Sequence, residues 1–176
     1  SGAARRSLMT SPETSTLQRN ARGDVVEETR PDLATTQLGY DGEGNTTSVT
    51  PPGKPEHLLQ FNATNQLASY DPPNLGFADV TSYAYDLDKK LESVLQPGNR
   101  LIAYDYDTAG RLSETTFPGG DVVRNYSPST GKLASLEGPY GVDLSFTYDG
   151  SLLKSVTWSG DVHGSVAWTH DTDFRV

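Results

Sequence analysis

The side chains best suited to proton transfer or metal binding in this chain are three histidines, His57, His163 and His170. They lie far apart and lack the His-Glu-x-x-His spacing that turns two imidazoles toward one ion. There is no cysteine, so disulfides, zinc thiolates and thiolate nucleophiles are excluded. Asp41-Gly42-Glu43-Gly44-Asn45 sets oxygen ligands at alternate positions, as a calcium loop does. Such a loop needs glycine sixth and glutamate twelfth, and this chain has Thr46 and Pro52 there. The stretch therefore reads as a turn. Asp105 and Asp107 read as repeat residues rather than a carboxylate pair for acid–base work. No Gly-x-Ser-x-Gly elbow offers a serine nucleophile. Asn45-Thr46-Thr47 and Asn62-Ala63-Thr64 match the glycosylation acceptor and are taken as turn residues. The expectation is no catalytic residue, no cofactor and no metal site.

Composition narrows the frame in which those residues sit. Of 176 residues, 17 are glycine and 11 proline, and nine of the aromatics are tyrosine. The apolar share is 34%, against roughly 45–50% in globular domains when glycine is also counted. A thick core is hard to build from this, and a thin sheet fits better. Net charge is −9, with arginines and lysines scattered, so nucleic acid is not an expected partner. No apolar run approaches the ~18 residues of a membrane span. Ser1-Gly2-Ala3-Ala4-Arg5-Arg6 has no apolar stretch after it and is not read as a signal peptide.

The tyrosines recur. The clearest copies are Tyr83-Ala84-Tyr85-Asp86 and Tyr104-Asp105-Tyr106-Asp107, with weaker ones at Tyr40-Asp41, Asn125-Tyr126-Ser127-Pro128, Phe146-Thr147-Tyr148-Asp149 and Trp168-Thr169-His170-Asp171. From Tyr85 through Tyr106, Tyr126, Tyr148 and His170 the steps are 21, 20, 22 and 22 residues. Tyr40 to Phe61 is again 21, and the step of 24 from Phe61 to Tyr85 spans an apparent insertion near 71–80. A fixed period of this length marks a repeat architecture.

The residues after each tyrosine say what the repeat builds. In Asp107-Thr108-Ala109-Gly110-Arg111-Leu112, aspartate suits the first position of a type I turn, and Gly110 suits the positive φ of a bulged hairpin. Ser127 through Gly131 repeats the scheme with one extra residue; Asp86 through Lys90 puts Lys89 in the glycine position, which weakens that turn. Strand-like runs such as Ser113–Phe117 follow, closed by second turns such as Pro118-Gly119-Gly120. Each unit of about 21 residues reads as two strands and two tight turns. The expected fold is all-β, an antiparallel run of hairpins over 20–176, with 1–19 irregular or frayed. Alternation puts Tyr104 and Tyr106 on one face, so the rings are expected to stack on one another along the sheet. The residues carrying this architecture are Tyr40, Asp41, Tyr83, Tyr85, Asp86, Tyr104, Tyr106, Asp107, Gly110, Arg111, Leu112, Tyr126, Gly131, Tyr148 and Asp149.

Tyr104 through Leu112, followed by Pro118-Gly119-Gly120, resembles the RHS (rearrangement hotspot) or YD repeat. The stretch from Tyr148 to Gly160 and then Asp171 to Val176 is similar as well. The resemblance covers roughly 20–176 and departs from the pattern at His170, at the short Tyr148-Asp149-Gly150 turn and at the insertion. It implies a long antiparallel sheet spiralling into a hollow shell, as in bacterial polymorphic toxins, insecticidal toxin complexes and teneurins. In the toxins that shell encloses a C-terminal effector. The implied role is structural and non-catalytic, as a segment that stops in mid-repeat at Val176 within a longer secreted or cell-surface parent, with neighbouring repeats and an enclosed effector as partners and edge-strand self-association as a further expectation. Asp71-Pro72-Pro73-Asn74-Leu75-Gly76 is similar to the Asp-Pro-x-Gly-Leu element that ends some RHS shells. Its residue order differs and repeats continue after it, so it reads as an insertion loop. The alternative function is a binding module whose tyrosine-rich face contacts carbohydrate or a receptor; the direction of the rings discriminates the two.

Overall fold

A computed structural model describes residues 14–73 and 79–171. The chain divides into two compact units, residues 1–82 and 83–176. In the first lie β1 (Thr16–Arg19), β2 (Val25–Thr29), β3 (Thr35–Tyr40), β4 (Thr46–Thr50), β5 (His57–Phe61) and β6 (Leu67–Asp71). The boundary falls within β7 (Thr81–Tyr85). The second unit continues with β8 (Leu91–Gln96), β9 (Arg100–Tyr106), β10 (Leu112–Phe117), β11 (Gly120–Tyr126), β12 (Leu133–Glu137), β13 (Asp143–Asp149), β14 (Leu152–Ser159) and β15 (Gly164–Ala167). Within each unit sheet order is chain order, and the strands pair antiparallel, as expected of a hairpin meander. Among the described residues the one helical element is a single 3-10 turn, Pro139–Gly141. Proline and glycine recur too often for longer helices.

The pattern of four-to-eight-residue strands follows from the two kinds of turn. At one end of each hairpin sits a bulged turn, and the register slips there: between Gly39 and Tyr40, Gln60 and Phe61, Asn125 and Tyr126, and Thr147 and Tyr148. At the other end the chain reverses tightly, as where Phe117 pairs with Gly120 across Pro118-Gly119. Gly120 has φ +135, and a Cβ there would lie 2.7 Å from Pro139 Cβ, so the position requires glycine on both counts. Thr16–Arg19 is paired with β2 as a strand, which carries the first hairpin into the segment expected to be irregular. Residues 1–13, and 74–78 of the expected insertion loop, lie outside the described residues.

The second unit is two-faced. Tyr104 pairs with Thr115, Thr115 with Val122, Arg124 with Leu136, Leu136 with Leu144, Leu144 with Trp158 and Val156 with Val166. Directly paired residues project to the same side, so this side is largely apolar. The alternate positions form a polar side of serine, threonine and carboxylates, in which Glu137 pairs with Asp143 and Asp143 with Ser159. In the first unit Gln18 pairs with Glu27 and Glu27 with Gln37 on the polar side, while Leu38, Val49 and His57 line the other. Among the described residues Val94 is the buried apolar side chain, at 8% exposure. The sheet is thin, as the composition predicts.

Candidate functional site

The repeated chemistry is concentrated in the six tyrosine-register turns that begin at Asn20, Asp41, Asn62, Asp86, Asp107 and Ser127; the Arg30–Ala34 turn makes the same backbone bonds with Leu33 left-handed. In each, the first residue's N–H donates to the carbonyl of the residue closing the turn, and its carbonyl accepts from the residue before that one. For Asp107 these are the bonds to Arg111 O, 2.8 Å, and from Gly110 N, 2.8 Å. The residue before the closing one is left-handed every time: Gly23, Gly44, Asn65, Lys89, Gly110 and Gly131. Gly110 has φ +78, as its place in the turn demands; Lys89, at φ +65, is an L-residue held where glycine is favoured.

The first side chain reinforces the same loop. Asp107 Oδ1 accepts from Ala109 N and Arg111 N, each at 2.9 Å, while Oδ2 accepts from Arg111 Nε at 2.7 Å. Asp41 accepts from Glu43 N, Asn45 N and Asn45 Nδ2. The Arg111 side chain above all, then backbone N–H groups, holds the Asp107 carboxyl below its ordinary value of 3.8. Asn45 does the same for Asp41, and Asn20, with Arg22, for Asp24. Both oxygens of Asp41 and Asp107, and Oδ2 of Asp24, are engaged within their own turn, which is the arrangement of a turn lock and not of a general base.

Three tyrosines tie their turns to the preceding strand. Tyr40 Oη donates to Val25 O (2.9 Å), Tyr106 Oη to Leu91 O (3.0 Å) and Tyr126 Oη to Leu112 O (2.9 Å). Basic residues at the turn's closing position then cover the next ring: Lys90 lies 5.0 Å from the centre of Tyr106, Arg111 4.1 Å from Tyr126 and Lys132 4.8 Å from Tyr148. Arg111 also donates to Gly131 O in the following turn, 3.0 Å. In the first unit Arg22 reaches Asp41 O (3.0 Å) and Gly42 O (2.5 Å). Cation-on-ring contacts thus replace the expected ring-on-ring ladder at these three tyrosines. The tyrosine face carries negative quadrupole density, and a cation one repeat back satisfies it better than a second ring.

Lys90, Lys132 and Arg22 escaped the sequence reading, although Lys90, Arg111 and Lys132 share one signal: each directly follows the left-handed residue of its turn. Tyr83 and Tyr85 are half-buried on one side of β7. Asp149 opens a two-residue turn and pairs with Leu152. The histidines remain separate from one another. His57 Nδ1 meets Tyr70 Oη at 2.7 Å with the rings stacked. Among the described residues no cluster of histidine, aspartate and glutamate is placed to hold a metal ion. An open groove of about 790 Å3 follows Tyr104 and the 107–110 turn, rimmed by Asp86, Asp88, Glu92 and Asp105; Asp107 in its wall is already committed to Arg111.

The model of the teneurin YD-shell family matches residues 21–176. The chain belongs to that family. Its fold is also that of solved toxin-complex chains. A crystal structure titled TcdB2-TccC3-Cdc42 superposes with a TM-score of 0.73 at 16% identity over 90% of this chain and 10% of that one. TcdB2-TccC3-TEV gives 0.72 at 17% identity over 89% of this chain and 10% of that one. The Photorhabdus luminescens Tc holotoxin pore gives 0.70 at 16% identity over 87% and 9%. This YD-shell segment thus spans about one-tenth of the length of those chains. No match was found among curated proteins. Membership in a shell family makes the role of the segment structural. None of the described helices is long and apolar enough to cross a membrane.

Proposed function

We propose that this segment is wall in an RHS-type shell that encloses a C-terminal effector, in a secreted or cell-surface parent, and that it contributes enclosure and no catalysis. The carrying observation is the way consecutive repeats complete one another: a tyrosine hydroxyl bonded to the carbonyl that opens the preceding strand, and a cation laid on the ring one repeat ahead. Such nearest-neighbour bonding suits an extended wall that gains stability by adding units. It also weighs against the binding-module reading, because Tyr106, Tyr126 and Tyr148 spend their faces, and Tyr106 and Tyr126 their hydroxyls, inside the sheet. Limited proteolysis of the parent protein tests the proposal. An enclosed downstream segment survives protease while the wall is intact and is degraded once a cleavage site inserted at 128–130 opens it. A downstream segment equally sensitive before and after opening contradicts enclosure.

A further inference from the structure

On the apolar side of the second unit, amid its half-buried side chains, stands Arg124; Arg100, on the same side of β9, is exposed. Arg124 on β11 pairs with Leu136 and follows Val122 on the same side. Register places Thr115 there too, and Arg124 Nη1 donates to Thr115 Oγ1 at 2.9 Å and to Val122 O at 3.3 Å. Both acceptors are neutral. A guanidinium stays charged at any physiological pH and carries five donors in a planar fork, so most of its donor capacity is unused.

The carboxylates that might neutralise it are turned away or, like Asp107 with Arg111, already engaged. Glu114 pairs with Val123, Asp121 with Thr116, and Glu137 with Val123; alternation sends all three to the polar side, where Glu137 accepts from Asn125 at 2.7 Å. Asp105 and Asp143 lie there as well. Glu92, on the apolar side of β8, is three strands off, at least about 14 Å across the sheet. Among the described residues no carboxylate pairs with Arg124. Meanwhile its surroundings, Leu136, Phe146 and Trp158 among them, are only half-buried.

We infer that this face is a docking surface for an apolar polypeptide segment bearing a carboxylate, which Arg124 receives by a bidentate, charge-assisted pair. Apolar area alone asks only for cover. The unpaired guanidinium adds the charge of what covers it, since burying Arg124 under a neutral partner would leave a desolvated, unmatched cation. The inference concerns this face and holds whether or not the parent encloses an effector.

Two nine-residue peptides of alternating leucine and threonine test it on the full chain, one with a central glutamate and one with glutamine. Binding is read by 15N chemical-shift titration that includes the arginine Nε–H signals. The glutamate peptide is expected to bind about 10-fold more tightly, the value of one charge-assisted pair, and to shift the Arg124 Nε–H. Arg124→Met should remove the preference and Arg124→Lys keep part of it, with far-UV circular dichroism checking the fold of each. Equal affinity for both peptides, no binding of either, or a preference that survives in Arg124→Met overturns the inference. Concentration-dependent self-association that Arg124→Met abolishes also overturns it, since the occupant is then a second copy. The peptide comparison needs no variant, so a misfolded substitution leaves the test intact.

Discussion

The two units build the same turn and bind it to its neighbour differently. In the first, the closing residues are Asp24, Asn45 and Gln66; in the second they are Lys90, Arg111 and Lys132. Backbone geometry is alike in both: Asp41 N to Asn45 O is 3.1 Å and Asp107 N to Arg111 O is 2.8 Å. What changes is the tie to the next repeat. Asn45 reaches the next turn by one amide contact, Nδ2 to Asn65 Oδ1 at 3.2 Å. Arg111 reaches it by a ring stack and a carbonyl bond together. The turn therefore depends on its first and left-handed residues, while a basic side chain near its close, Arg22 in the first unit or Arg111 in the second, clamps it to the next.

Disrupting the shared element should have the largest effect. Gly110→Val puts a β-branched residue at φ +78 and should destabilise the chain by about 2 kcal/mol, read as a lower denaturant midpoint. Replacing the clamp alone should do less. Arg111→Asn gives a second-unit turn the first unit's closing residue, and loss of the ring stack should cost about 1 kcal/mol while the turn persists. Its signature is unchanged Gly110 amide protection with faster exchange in the 127–132 turn; equal loss in both would mean that clamp and turn are not separable. Lys89→Gly should go the other way, gaining roughly 0.5–1 kcal/mol by relieving the left-handed lysine, or a few degrees in melting temperature. The smallest effect is acid sensitivity. Asp24, Asp41 and Asp107 have folded-state values depressed below 3.8. Their contribution is therefore present above about pH 4 and lost as pH falls through the folded values. Asp107→Asn should flatten this acid limb, measured as melting temperature from pH 7 down to 2.5.

Much of this was legible in the residues. Tyrosine spacing located the hairpins because a period-two strand and a fixed turn length leave little freedom in register. Gly110 and Gly131 announced left-handed positions because few other residues tolerate them. The ring ladder was misread for a physical reason: spacing reveals that Tyr106 and Tyr126 share a side, but not that a bulge beside each turn aims Lys90 and Arg111 at those rings. Lys89 was recognised as a misfit, yet the turn accepts it, since backbone bonds on both sides fix the conformation. Arg124 carried no signal at all. Its isolation appears only when register sorts Glu114, Asp121 and Glu137 to the opposite side.

The central claim is that this is wall, stabilised by neighbours on either side rather than by a core of its own. The outermost of the described strands carry the consequence: β1 is exposed along its length, and β15 contributes four residues of which three are exposed. Each presents a row of backbone groups suited to pairing with further repeats. Hydrogen exchange on the isolated chain, set beside the same residues in the longer parent, tests this most directly. The account predicts protection that is highest in β8 to β11, falls toward β1 and β15 in the isolated chain, and is restored there in the parent. Uniform protection from β1 to β15 in a strict monomer, unchanged in the parent, would show a self-contained domain and contradict it.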